Sequence, residues 1–69
     1  MNYEYDPKLD ILLMKIGKEK PDYGEQKGNV ITHYSKAGKV VEIEILDASK
    51  EATHMMKTIL RAKALADSD

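Results

Sequence analysis

The side chains able to do chemistry are few in this sequence, and they are mostly acids. Asp6 and Asp10 bracket a Pro-Lys-Leu step, and Glu44 and Asp47 lie three apart near the end of an apolar stretch. Brought together, such carboxylates would make a hard-cation site or a general acid/base pair. Each also has a local explanation. Asp6 forms a turn, Asp10 is a turn or strand-entry residue, and Asp47 caps a helix. The local explanations account for every one of these residues by its own mechanism, and they are adopted here. No run of acids has calcium-loop spacing, and the glycines at 17, 24, 28 and 38 match no phosphate-binding loop. His33 and His54 have no second histidine or cysteine nearby, so a surface role outweighs metal ligation. Ser35, Ser49 and Ser68 sit in no nucleophile-elbow motif. The expectation is a non-enzymatic protein with no catalytic set, no metal and no cofactor.

The elements that would carry these residues follow from periodicity. Asn2 to Tyr5 reads as a short strand with Tyr3 and Tyr5 on one face, and Asp6-Pro7-Lys8 as a turn. In a second strand, Ile11 to Ile16, Leu12, Met14 and Ile16 share one face. Ile11 and Leu13 lie with Lys15 on the other. Apolar residues on both faces imply a central strand or a partner covering the second face. Residues 17–29 are polar and rich in glycine, a loop with room for a short edge strand near Tyr23 to Gln26. Val30 to Tyr34 is a third strand, whose Val30, Thr32 and Tyr34 face the core. Ser35 to Lys39 is a hairpin connection with Gly38 in a left-handed position. In the fourth strand, Val40 to Leu46, Val41, Ile43 and Ile45 alternate with Glu42 and Glu44. Asp47 or Ser49 can cap a helix over residues 48–66. Its Ala52, Met55, Met56, Ile59 and Leu60 form an amphipathic stripe, and residues 67–69 are expected to fray.

The expected fold is therefore α+β. An antiparallel β-meander of three to four strands carries one C-terminal amphipathic helix packed on one face, in a single domain spanning residues 1–69. The helix stripe is expected to dock on Val41, Ile43 and Ile45, with Leu12 and Met14 completing the core.

Composition bounds the rest. Sixty-nine residues with no Trp, no Phe and no Cys leave Ile, Leu, Val, Met and four Tyr to make a core. A chain of this size buries only about 60% of its unfolded surface. Without disulfides or a thiolate metal site, oligomerisation is the support left open. Net charge is −1, from 11 basic and 12 acidic residues, so no global field steers the chain to nucleic acid or a membrane. The first six residues lack a signal pattern, and the longest apolar run, Ile11 to Met14, is far short of a membrane span, which points to the cytoplasm.

Two stretches carry a family resemblance: YDPKLDILLM from Tyr5 to Met14, and GKVVEIEILDAS from Gly38 to Ser49. Together, over residues 2–50, they resemble domain-of-unknown-function family twenty-two eighty-three, small bacterial and archaeal proteins. Tyr5, Asp6, Asp10, Gly38, Ile43, Glu44, Ile45, Leu46, Asp47, Ala48 and Ser49 match its pattern. Glu42 stands where the family usually has Gly, and Leu13 lies where an aromatic is common. The resemblance implies no established activity. Some members look like the smaller partner of a two-gene toxin–antitoxin-like pair, which implies a binding role.

That role fits the residues left over. Ile11, Leu13, Met55 and Met56 are the candidate interface, for a homodimer or a small protein partner; methionine adapts to irregular partner surfaces. The alternative is a nucleic-acid-binding regulator. Lys50, Lys57, Arg61 and Lys63 outnumber the single acid Glu51 over residues 48–66, although one helix makes no helix-turn-helix.

Overall fold

The computed structural model describes residues 1–67; of residues 67–69, where fraying is expected, Asp67 is still helical and Ser68 and Asp69 lie outside the described residues. Five strands and one helix follow each other along the chain: β1 (Asn2–Asp6), β2 (Ile11–Lys15), β3 (Tyr23–Lys27), β4 (Val30–Tyr34), β5 (Val40–Leu46) and α1 (Ala48–Asp67). The strands form one antiparallel sheet in the order β1-β2-β5-β4-β3. The α+β class with a C-terminal helix is as the periodicity implies, but the sheet has five strands. The extra one, β3, is the short edge strand for which the polar segment 17–29 leaves room near Tyr23 to Gln26. It pairs with β4 through the two-residue turn Gly28-Asn29, with Gly28 at φ 59 in the first central position, as a II′ hairpin requires. Tyr23 of β3 stacks on Tyr34 of β4, with ring centroids 5.1 Å apart.

The register sorts the side chains into two unlike faces. Tyr3 and Tyr5 oppose Met14 and Leu12, which oppose Ile43 and Ile45, which in turn oppose Thr32 and Val30. This face carries no charge across β1, β2, β5 and β4. The other face mixes Ile11, Leu13, Ile31 and Leu46 with Glu4, Lys15, Glu42, Glu44 and His33. In the turn between β4 and β5 the Gly38 N–H donates to the Ser35 carbonyl at 2.9 Å, and Gly38 adopts φ 84. The register shift beside Tyr34 then leaves Val41 an added residue on β5.

The expected core is absent from this chain. Among the described residues the buried apolar side chains are Val41 and Ala48. Met55, Met56, Ile59 and Leu60 are 52–59% exposed, so α1 does not pack on the sheet. The reason is the connection. β5 ends at Leu46 and α1 begins at Ala48, leaving Asp47 alone, at φ 50, to change direction. Strand–helix loops that fold a helix back over its sheet commonly use two to six residues. Here the helix projects instead, and the molecule measures 50 × 28 × 21 Å. Its radius of gyration is 15.2 Å, where a compact chain of this length has about 11 Å. No helix among the described residues is long and apolar enough to cross a membrane.

Val41, only 1% exposed, is the largest apolar side chain that the chain buries by itself. Val41→Ala deletes two methyl groups, a loss of about 2 kcal/mol at roughly 0.8 kcal/mol per buried carbon plus a cavity contribution. Urea denaturation at one fixed protein concentration measures it, and a change below a few tenths of a kcal/mol would remove Val41 from the core.

Candidate functional site

Of the acids and hydroxyls singled out by spacing, Asp6, Asp10, Asp47 and Ser49 gather at one end of the sheet. Asp6 closes the turn after β1: its Oδ1 accepts the backbone N–H groups of Lys8 at 2.9 Å and Leu9 at 3.1 Å. Pro7, with fixed φ, holds the same bend. The turn delivers Asp10 at φ 55, a left-handed conformation that Asp tolerates better than most residues. Asp10 then reaches the start of α1, 39 residues further along the chain. Its Oδ1 accepts the Ser49 N–H at 3.0 Å and its Oδ2 the Ser49 hydroxyl at 2.8 Å. The Tyr5 hydroxyl donates to the same Oδ1 at 2.7 Å, and the Ala48 N–H to the Asp10 carbonyl at 3.0 Å.

This is a helix cap supplied from another part of the fold. The N–H groups of a first helical turn lack intrahelical acceptors, and a carboxylate there also meets the positive end of the helix dipole. Asp47 contributes its backbone: its carbonyl accepts the Lys50 and Glu51 N–H groups, each at 3.1 Å. The side-chain cap thus comes from Asp10, where local spacing points to Asp47 or Ser49. Asn29 ties the neighbouring hairpin to the same end. Its side-chain amide donates to Glu51 Oε1 at 3.0 Å, and its carbonyl accepts the Leu46 N–H at 2.8 Å.

The electrostatics match. The Tyr5 hydrogen bond, then the two from Ser49, hold the Asp10 carboxyl below the ordinary carboxylate value, and the Lys50 charge adds to this. The same bond to Asp10 pushes the Tyr5 phenol upward. At neutral pH Asp10 is an ionised acceptor and Tyr5 a protonated donor. A carboxylate so disposed is a weak general base.

Glu44 and Gly38 lie elsewhere. Glu44 sits mid-strand on the charged face, its Oε1 2.9 Å from His33 Nε2. Gly38 turns the chain at the far end of β5. Among the described residues no group of three or more His, Cys, Asp or Glu is arranged to hold a metal ion. The candidate interface residues also divide. Ile11 and Leu13 floor a shallow depression of about 340 Å³ that Glu4, Asp6, Glu42 and Glu44 border. Met55 and Met56 are exposed on α1. Residue spacing did not disclose that Asp10 and Ser49 meet, because nothing local links positions 39 apart, nor that Asn29 joins the hairpin to the helix.

The family model described as Protein of unknown function (DUF2283) matches residues 2–49, and the chain belongs to that family. No curated protein and no solved structure matches the chain. The matched segment contains the whole sheet and ends on Ser49, so every member of the Tyr5–Asp10–Ser49 cluster lies within it.

A carboxyl with a lowered folded-state pKa stabilises the fold above its unfolded value, and that contribution is lost as pH falls through the folded value. Asp10→Asn keeps a residue suited to the left-handed backbone and to an N-cap but removes the charge. Its melting temperature should lie below that of the parent protein at pH 7, and the gap should shrink as pH falls below the ordinary carboxylate value and on through the lower value of the folded Asp10. Thermal melts across that range test this; a gap that does not change with pH would show that the Asp10 charge does not stabilise the fold.

Proposed function

We propose that this member of the family is a non-enzymatic, cytoplasmic protein-association module whose fold is completed by a second copy of the chain. The observation that carries the proposal is the uncovered apolar surface. A folded monomer of this mass should expose about 4,400 Å², whereas the chain exposes 5724 Å². The excess, about 1,300 Å² per chain, amounts to about 2,600 Å² for two chains, inside the range of obligate homodimers. A projecting helix with an exposed apolar stripe supports the same proposal, because most helix stability in proteins comes from packing such a stripe. A small partner protein of a different sequence would also cover this surface. A second copy is preferred because each chain offers both an apolar helix stripe and a sheet face free of charge across β1, β2, β5 and β4.

The second reading, nucleic-acid binding, draws on Lys50 and Lys57. With Ser49, Thr53 and His54 they line a depression on the helix, and at about 100° per residue they lie opposite Ile59, as does Arg61, whereas Lys63, about 40° from Ile59, falls on the side of the apolar stripe and not on a common basic face. Binding of this kind would retard duplex DNA or RNA at low salt and weaken steeply as salt rises.

Sedimentation across a dilution series tests the leading proposal. The expected species has twice the 7.8 kDa mass of the chain, and its melting temperature should rise with protein concentration. Ile59→Asp should shift the mass to that of one chain and lower the melting temperature. On a monomer the same exposed substitution would change stability by no more than about 0.5 kcal/mol. A 7.8 kDa species whose melting does not depend on concentration would refute self-association.

A further inference from the structure

We infer that the two copies exchange helices: α1 of each chain lies across β2, β5 and β4 on the apolar face of its partner's sheet, clear of Glu25 and Lys27 on the β3 edge of that face, around a two-fold axis. This arrangement rests on the self-association proposed above and specifies its geometry. Three observations lead to it.

The first is that α1 cannot reach its own sheet. A single residue, Asp47, separates it from β5, and its first turn is fastened to Asp10 by the Ser49 N–H and hydroxyl, with Ala48 fastened to the Asp10 carbonyl. Turning the helix back over the sheet would break these bonds. The stripe is therefore presented away from the body of its own chain.

The second is that the two faces of the sheet are not equivalent acceptors. An apolar helix laid on the face bearing Glu42 and Glu44 would bury carboxylates without partners, at high cost. The face built on Leu12, Met14, Ile43 and Ile45 presents no charge across β1, β2, β5 and β4. Its dimensions also fit. Ala52 to Ile59 spans about 10 Å along a helix axis, and the step across β2, β5 and β4 is also about 10 Å.

The third is the area. Pairing the two helices alone would leave both sheet faces bare, and stacking the two sheets would leave both stripes bare. Reciprocal exchange covers both surfaces of both chains in one closed, isologous contact. It can therefore remove an excess of about 1,300 Å² per chain.

The chain has no cysteine, so introduced thiols report contacts without background. Ile59→Cys marks the helix stripe and Thr32→Cys the sheet face, with Met56→Cys as a second helix marker if the first variant does not fold. Chains of the two variants, made distinguishable by mass, are unfolded together, refolded and treated with a short bismaleimide. Helix exchange predicts that the mixed 59–32 link dominates. Dominant 59–59 links would mean that the helices pair, and dominant 32–32 links that the sheets stack. Either result overturns the inference, as does a dimer that yields no link. A monomeric mass before cross-linking would instead overturn the self-association on which the inference rests.

Discussion

The Asp10 carboxylate sits where the architecture is decided. It accepts the Tyr5 hydroxyl, the Ser49 N–H and the Ser49 hydroxyl, and so binds the first strand, the first turn and the start of the helix into one junction. The carbonyl of the same residue takes the Ala48 N–H. Because only Asp47 separates β5 from α1, this junction sets the direction in which the helix leaves the sheet. A longer linker would let the helix seek the apolar face of its own chain; a single residue under this restraint holds it away. The exposed stripe, the bare sheet and the elongated shape all follow from that one restraint.

The sheet itself is organised around β5, which lies between β2 and β4. Side chains of a strand alternate between faces, so a register slip of one residue would carry Ile43 and Ile45 to the face now holding Glu42 and Glu44. The irregularity between His33 and Tyr34 adds one residue on β5, Val41 itself. The Val41 carbonyl in turn accepts the N–H groups of Ile16 and Gly17, at 2.8 and 3.1 Å, extending the pairing of β2 and β5 beyond the last residue of β2. A Cβ at Gly17 would stand 3.1 Å from Val41 Cγ1, so the chain passes closely over this side chain. The result is one well-covered spot in an otherwise open layer.

Much of this was legible in the sequence, and the failures have physical causes. The alternation of Val41, Ile43 and Ile45 with Glu42 and Glu44 marks β5, and Gly38 marks its turn. The periodic apolar residues from Ala52 to Leu60 mark the helix. Strand β3 is legible only as an optional edge strand because Tyr-Gly-Glu-Gln-Lys has no apolar alternation; it is a polar edge strand held by pairing and by the Tyr23–Tyr34 stack. The Gly28-Asn29 step that joins it to β4 is a two-residue hairpin signal lying inside a segment whose charge and glycine content read as a loop. Docking of the helix on its own sheet, expected from amphipathicity alone, is not what the structure has. Amphipathicity states that a stripe must be buried, and it does not state in which chain. The acidic motif was legible residue by residue, as turn former and cap, but the long-range pairing of Asp10 with Ser49 has no local signature.

The structural roles of Tyr5, Asp10 and Ser49 bear on where function can lie in a protein of this family. A residue whose donors and acceptors maintain the fold has few left for a substrate, and Asp10, ionised and supplied with three donors, is poorly suited to take up a proton. The shared segment ends on Ser49, at the junction. Chemistry at that end of the sheet would therefore compete with the fold. Association does not compete in this way, because it uses surfaces the junction leaves open. In the proposed dimer the face built on Leu12, Met14, Ile43 and Ile45 would be covered, and the acidic face of the sheet and the lysine-bearing side of the helix would still turn outward. These carry opposite charge, so partners drawn to one are repelled by the other. Any selectivity of the assembled module would then come from this separation of charge, since the net charge of the chain is only −1.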